Sequence, residues 1–299
     1  EAASPVQDSP VRASPVHPLT LDETPMHELG FIGSGNMAEA IVRSAIDAGV
    51  LTPEQIVAAD PSPERREVMA SIGVRSVDAN AEVVANARQV VLAVKPQAAE
   101  GPAAEVGAHL RDEQIVISIM AGLSTAKLAA LIRAGVPAGS EERRIRLVRV
   151  MPNTPLMVGK GMAGVALGAD AQPGDDELAV KLLSAGGEAI RVDEAALDAI
   201  TAVSGSGPAY LFYLAQAMEQ AAADLGLGEH ARLLVSQTLV GAAELLARSD
   251  EDAGTLRQKV ASPGGTTEAA LNTLDEKNAS DALVEAIRAA ERRSRELGR

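Results

Sequence analysis

Apolar residues in the first two thirds of the chain come in short runs, and stretches with helical spacing lie between them. Residues 29–32 form the first run, and Met37, Ala40, Ile41 and Ile46 follow at roughly helical intervals, which predicts a strand, a turn and a helix. Ile56-Val57-Ala58-Ala59 reads as a short buried strand, and Val90-Val91-Leu92-Ala93-Val94 as the wholly apolar run of a central parallel strand. Further strands are expected over 115–119, 145–150, 162–167 and 188–192. Helices are expected around 82–87, 97–110 and 175–185, and another after Ser124 as N-cap. Strands alternating with helices in this way predict an α/β fold with a doubly wound sheet.

The pattern changes after Val192. From Glu194 onward no strand is evident, and long helices are expected at 208–225, 229–248, 267–275 and 280–297. Leu211, Leu214, Met218 and Leu225 share a face of the first; Leu233, Leu234, Val240 and Leu245 run through the second. So much apolar helix surface in a short all-α segment is hard to bury in a monomer, so an oligomer interface is expected here. The plainer alternative is that these faces pack on one another and on the sheet half. The expected division is a tail at 1–25, an α/β domain at 26–193 and a helical domain at 194–299.

Composition narrows the picture. The tail repeats Ser-Pro-Val at Ser4, Ser9 and Ser14, and such a segment cannot bury a core, so disorder is expected there. It lacks the apolar stretch of a secretory signal and the arginines of a transit peptide, and Met26 begins the folded pattern, so a cytoplasmic protein is expected. The net charge of -14 argues against nucleic acid and anionic membranes as partners. No apolar run approaches the roughly 20 residues of a membrane-spanning helix. With no cysteine, disulfides and thiolate chemistry are excluded, and the four scattered histidines show no metal-site spacing, so no metal is expected.

Against this background three glycine-rich stretches stand out. Gly33-Ser34-Gly35-Asn36-Met37-Ala38 has the form G-x-G-x-x-A between a strand and a helix. Gly33 allows the tight turn, Gly35 lets the backbone approach a pyrophosphate, and Ala38 lets the helix pack close to the strand. The helix N-terminus then offers free amides and partial positive charge to phosphate. Asp60 follows Ala38 by 22 residues, near the ~20 expected for an acid that meets the adenosine ribose. It is equally placed to open the Asp-Pro-Ser-Pro turn. A carboxylate there favours NADH over NADPH, whereas Arg65 and Arg66 could reverse the preference, so the choice stays open. The other two stretches, Ser204-Gly205-Ser206-Gly207-Pro208 and Ser262-Pro263-Gly264-Gly265-Thr266-Thr267, precede helices and suggest a site for a second, small anion. No Ser/His/Asp triad or catalytic carboxylate pair is evident. Chemistry that asks little acid–base help fits, such as hydride transfer to an already protonated imine.

The stretches Gly30 to Met37, Leu92 to Gln97, Val148 to Pro155, Thr201 to Tyr210 and Ser262 to Thr267, in this order and spacing, resemble pyrroline-5-carboxylate reductases from about Met26 to the C-terminus. The resemblance implies a Rossmann-type domain, then an all-α dimerisation domain. It implies reduction of 1-pyrroline-5-carboxylate to L-proline by NADPH or NADH, the last step of proline biosynthesis. It also implies a homodimer through the C-terminal helices, with dimers assembling further, for instance into a decamer. By the same resemblance Ser262, Gly264, Gly265 and Thr266 hold the substrate carboxylate, Thr267 points its hydroxyl at the ring nitrogen as the catalytic residue, Val260 walls the pocket and Glu194 lies close to substrate. Besides the glycine turn and Asp60, it places Asn80, Ala93, Val94, Lys95, Pro96 and the Met120-Ala121-Gly122 turn along the cofactor.

Two other readings remain to be weighed. A hydroxyacid-type dehydrogenase would carry a catalytic lysine within a helix of the second domain. Lys259 and Lys277 are the only lysines after Lys181, and neither is expected mid-helix. A nucleotide-binding scaffold without turnover has no use for a second anion pocket.

Overall fold

The computed structural model describes residues 27–140 and 142–298, so the tail expected at 1–25 lies outside the described residues. The first half runs β1 (His27–Ile32), α1 (Asn36–Asp47), β2 (Ile56–Ala59), α2 (Pro63–Ser71), β3 (Arg75–Val77), α3 (Asn80–Asn86), β4 (Ala87–Leu92), α4 (Glu100–His109), β5 (Ile115–Ser118), α5 (Thr125–Arg133), β6 (Arg146–Met151), β7 (Gly161–Leu167), α6 (Glu177–Ser184) and β8 (Gly187–Arg191). The strands form one sheet in the order β3-β2-β1-β4-β5-β6-β7-β8. The first six are parallel, β7 runs antiparallel to β6, and β8 is parallel to β7. Strand order reverses between β1 and β4, the position where open α/β sheets open a crevice for ligands.

Both sheet faces are covered, as parallel strands require. Leu29, Phe31, Val91, Ile117 and Val148 point to one face, where Ala38, Ile41, Met69 and Leu182 of α1, α2 and α6 meet them. Ile32, Val57, Val90 and Val116 point to the other, under Val83, Val106 and Leu128 of α3, α4 and α5. Val90-Val91-Leu92 of β4 and Val116-Ile117 of β5 are therefore apolar on both faces. Two details differ from the sequence reading. β3 is too short and polar to show a pattern. β4 stops at Leu92 rather than Val94, because Pro96 cannot donate a ladder hydrogen bond and holds the residue before it extended.

From Glu194 the chain is helical: a 3-10 turn at Glu194–Ala196, α7 (Leu197–Ile200), a π turn at Thr201–Gly205, α8 (Gly207–Asp224), α9 (Ala231–Arg248), α10 (Ala253–Val260), α11 (Thr266–Glu276) and α12 (Ala279–Leu297). The helix α10 was not visible in the periodicity; Asp252 caps it by accepting from the Thr255 amide at 3.0 Å. The Ser204–Pro208 stretch joins the π turn to α8: the Ser206 amide bonds Thr201 O at 2.7 Å, and Pro208 sits in the first turn of α8. No side chain of α8, α10 or α11 is buried. Tyr213 is 77% exposed and Leu233 70% exposed, so the apolar faces are not spent on each other or on the sheet.

An ion pair ties the start of β6 to the loop before α6. Arg146 grips Asp175 with two nitrogens, one at 2.9 Å, and Asp175 is buried. Burial pushes the Asp175 carboxyl up, but the Arg146 hydrogen bonds and the Gln172 amide outweigh it and hold the group below its ordinary value. A carboxylate depressed in this way adds stability that is complete above the unfolded value of about 3.9 and is lost as pH falls through the folded value. Asp175→Asn should therefore lower stability at pH 7 by about 3 kcal/mol and flatten its acid dependence below about pH 4. Thermal unfolding across pH checks this, and an unchanged Tm at pH 7 would show the pair to be energetically idle.

Candidate active site

The glycine turn joins β1 to α1 at the reversal of strand order. Gly33 has φ +94, and a Cβ there would lie 2.9 Å from the backbone of Ala93, so both conformation and space demand glycine. Gly35 differs: its φ of −67 suits any residue, and a Cβ on it would meet nothing within 4 Å. The fold leaves that space open. Gly35 is the N-cap of α1 with no side-chain cap, so the first-turn amides at Asn36, Met37 and Ala38 have no side-chain partner. Ala38 is buried against the sheet, while Gly35 and Asn36 are exposed. An exposed, uncapped helix start reached across an empty glycine fits a dinucleotide's pyrophosphate.

Asp60 and Arg65 fix the shape of this turn. One Asp60 oxygen accepts from the Ser34 amide at 2.7 Å and the other from the Ser62 amide at 2.9 Å. The side chain therefore opens the Asp-Pro-Ser-Pro turn and also pins the glycine turn across two strands. Arg65 Nε donates to Ser34 O at 2.5 Å, and its guanidinium pairs with Glu39 at 2.8 Å. Burial pushes the Glu39 carboxyl up, but the hydrogen bonds from Arg65 and Arg43 prevail and hold it below its usual value. Ser34 is wholly buried, and among the described residues its hydroxyl has no partner.

The other expected cofactor residues stand along the same edge. Ile32 pairs with Ala59 and Leu92, Ala59 with Val77, and Leu92 with Ser118, so the five strands end level. Ala93 follows directly and donates its amide to Ile32 O at 2.9 Å. Val94, exposed Lys95 and Pro96 form the turn beyond it. Met120, Ala121 and Gly122 follow β5, with the Met120 amide on Ser118 Oγ at 3.3 Å. Asn80 opens α3 just after β3 and donates to Glu105 at 2.7 Å.

The second glycine-rich stretch lies between α10 and α11. Val260 ends α10 and is 65% exposed. Gly264 takes φ +71, the Gly265 amide bonds Ser262 O at 2.9 Å, and Gly265 is the N-cap of α11 with no side-chain cap. Thr266 and Thr267 are the first two helical residues. The Gly264 amide holds a carboxylate, that of Glu268, at 2.7 Å. Among the described residues no hydrogen bond or ion pair joins residues 260–268 to the sheet half. Glu194 stands apart from both: it accepts the amide and hydroxyl of Thr125, each at 2.6 Å, and pairs with Arg149 at 3.2 Å. Arg149 escaped the sequence reading, although a charge inside the strand Val148-Arg149-Val150 was the signal that could have found it. Lys259 pairs with Glu251 at the end of α10, and Lys277 caps α11. Neither lies mid-helix. Among the described residues no group of three His, Asp or Glu could hold a metal.

A doubly wound sheet with an uncapped glycine turn at its reversal is an arrangement suited to binding a dinucleotide. The family model "NADP oxidoreductase coenzyme F420-dependent" matches residues 28–122, and the model "Pyrroline-5-carboxylate reductase dimerisation" matches residues 194–297. A pyrroline-5-carboxylate reductase of Pseudomonas aeruginosa is 42% identical over 273 residues, 90% of this chain and 96% of that one. A solved pyrroline-5-carboxylate reductase of Coxiella burnetii superposes with a TM-score of 0.80 at 34% identity, over 92% of this chain and 99% of that one. The pyrroline carboxylate reductase of Plasmodium falciparum, solved with NADP bound, gives a TM-score of 0.80 at 28% identity, over 91% and 98%. The chain belongs to the pyrroline-5-carboxylate reductase family.

The two glycines of the turn should separate in experiment. Gly35→Val fills the open space without strain, so the protein should keep its Tm and lose at least about tenfold in NADPH affinity. Gly33→Ala meets backbone and a forbidden φ, so its Tm should fall. Fluorescence titration with NADPH beside thermal unfolding checks both, and a Gly35→Val protein with unaltered affinity would remove the turn from cofactor binding.

Proposed function

We infer that this chain reduces 1-pyrroline-5-carboxylate to L-proline, the closing step of proline biosynthesis, with NADPH or NADH as reductant. The observation that carries the reading is the pair of uncapped, glycine-led helix starts, one at α1 and one at α11. The first suits a pyrophosphate and the second a small carboxylate. When bound, the dihydronicotinamide supplies the hydride. The chain's own part is to bind and orient. Gly33 to Ala38 hold the pyrophosphate, with Asp60 fixing the turn and standing beside the adenosine ribose. Asn80, Ala93 to Pro96 and Met120 to Gly122 line the rest of the cofactor.

On the substrate side, the amides of Ser262, Gly264, Gly265 and Thr266 receive the carboxylate, displacing the Glu268 side chain from Gly264. Val260 closes the pocket, Glu194 supports it from the domain junction, and Thr267 directs its hydroxyl at the ring nitrogen. That nitrogen is already protonated as an iminium, so hydride addition to the adjacent carbon neutralises it without a protein acid. Holding the ring in one pose can supply several kcal/mol, and effective positioning reaches about 7–11 kcal/mol in favourable cases.

The same reading makes the protein a cytoplasmic homodimer whose dimers assemble further, up to a decamer. Support comes from the exposed apolar faces of α8 and α9 and from the match of residues 194–297 to a dimerisation model. No described helix is long and apolar enough to cross a membrane.

Steady-state assays with NADH and NADPH side by side test the reaction, and folded protein that oxidises neither in the presence of 1-pyrroline-5-carboxylate would sink it. Thr267→Ala should lower kcat/KM for the imine by about ten- to hundredfold, the worth of a hydrogen bond to a charged group, with cofactor affinity near normal. An unchanged kcat/KM would take Thr267 out of the reaction. For the assembly, Phe212→Glu on α8 should cost at least about 2 kcal/mol of association and shift the sedimenting species toward monomer. Unaltered mass would place the interface elsewhere.

A further inference from the structure

Arg149 is a buried charge between Val148 and Val150 of β6: it is 5% exposed and pairs in register with Ser118, on the last row paired with β5. Its guanidinium reaches two carboxylates, Glu194 at 3.2 Å and Asp198 at 3.5 Å. Each carboxylate has a second partner. Glu194 takes the amide and hydroxyl of Thr125, the first residue of α5, and Asp198 takes the Ser294 hydroxyl at 2.7 Å. Ser294 is the one buried residue of α12. The end of α12 closes on the turn that precedes α5: a Cβ on Gly122 would lie 2.8 Å from Leu297 Cβ, and one on Gly298 2.7 Å from Gly122 O. The turn Met120-Ala121-Gly122 is thus gripped from both sides, by Glu194 through Thr125 and by the end of α12.

We propose that Arg149 is a positioning residue that sets the Met120-Ala121-Gly122 turn for the cofactor and, through Asp198 and Ser294, couples that turn to the helical half. This rests on the reading above, in which the turn lines the cofactor. The physical argument is one of charge. A single guanidinium serves two half-buried carboxylates that would otherwise face each other unneutralised. Its planar fork reaches both, which the point charge of a lysine cannot do. The turn's position is therefore tied to the same cation that fixes where the helical half begins, and any shift of α12 is felt at Gly122.

Two variants test this, with NADPH titrated by fluorescence and kinetics run at saturating cofactor. Arg149→Lys and Ser294→Ala should each weaken NADPH binding by about three- to thirtyfold, the range expected for a coupling residue, and with Ser294→Ala KM for the imine stays within about twofold. Ser294→Ala removes one hydrogen bond and no charge, so it keeps the test alive if the arginine variant fails to fold. A purely structural role would lower Tm or the active fraction and leave the NADPH Kd untouched; wild-type Kd in the folded variants overturns the proposal. Ala121→Leu, which adds bulk to the turn itself, separates the two levels. If it weakens NADPH binding while Arg149→Lys and Ser294→Ala do not, the cofactor reading stands and the coupling falls. If Ala121→Leu also binds NADPH normally, both fall.

Discussion

Parallel pairing holds β3, β2, β1, β4 and β5 so that Val77, Ala59, Ile32, Leu92 and Ser118 stand side by side at one edge. That register is the constraint on which the candidate site depends. One residue beyond each strand end the chain must turn, and the turns at Gly33, Asp60, Ala93 and Ile119 fall beside one another only because the ends are level. Slipping a strand by one residue would reverse which of its side chains enter each core, so the two apolar clusters enforce the row. Packing thereby fixes chemistry: residues 60 positions apart in sequence reach one crevice without any of them needing to attract another.

Electrostatics then shapes the crevice. Asp60 neutralises the Ser34 and Ser62 amides, Arg65 takes the Ser34 carbonyl, and Glu39 pairs with Arg65 and Arg43. These contacts use the polar groups that flank the turn and leave the amides at the start of α1 without side-chain partners. A rigid frame with uncommitted donors is what binding an anion at low ordering cost requires.

The helical half obeys a different rule. Its helices bury almost nothing by themselves; among the described C-terminal apolar residues only Leu197, Ala202, Ala231 and Val235 are buried. Such faces call for another surface to cover them, which agrees with the match of residues 194–297 to a dimerisation model. The Arg149 cluster is where the sheet half meets these helices.

The sequence by itself determined the alternation of strands and helices, the change to all-helix near Glu194, the glycine turn and the glycine-rich helix start at 262–267, because periodicity and glycine placement are local properties. It also carried the family, through motifs that stand in order along the chain. It could not show β3, which is too short to have a period, or α10, where Gly254 and a polar run hide the helix. It left Asp60 poised between ribose and turn, and only the fold placed both its oxygens on backbone amides. The role of Glu194 was likewise decided in three dimensions, since its partners Thr125 and Arg149 are 69 and 45 residues away. Sequence fixes what each segment prefers to be. Which charges share a buried space depends on how the sheet and the last helix close on one another, and that is settled by packing.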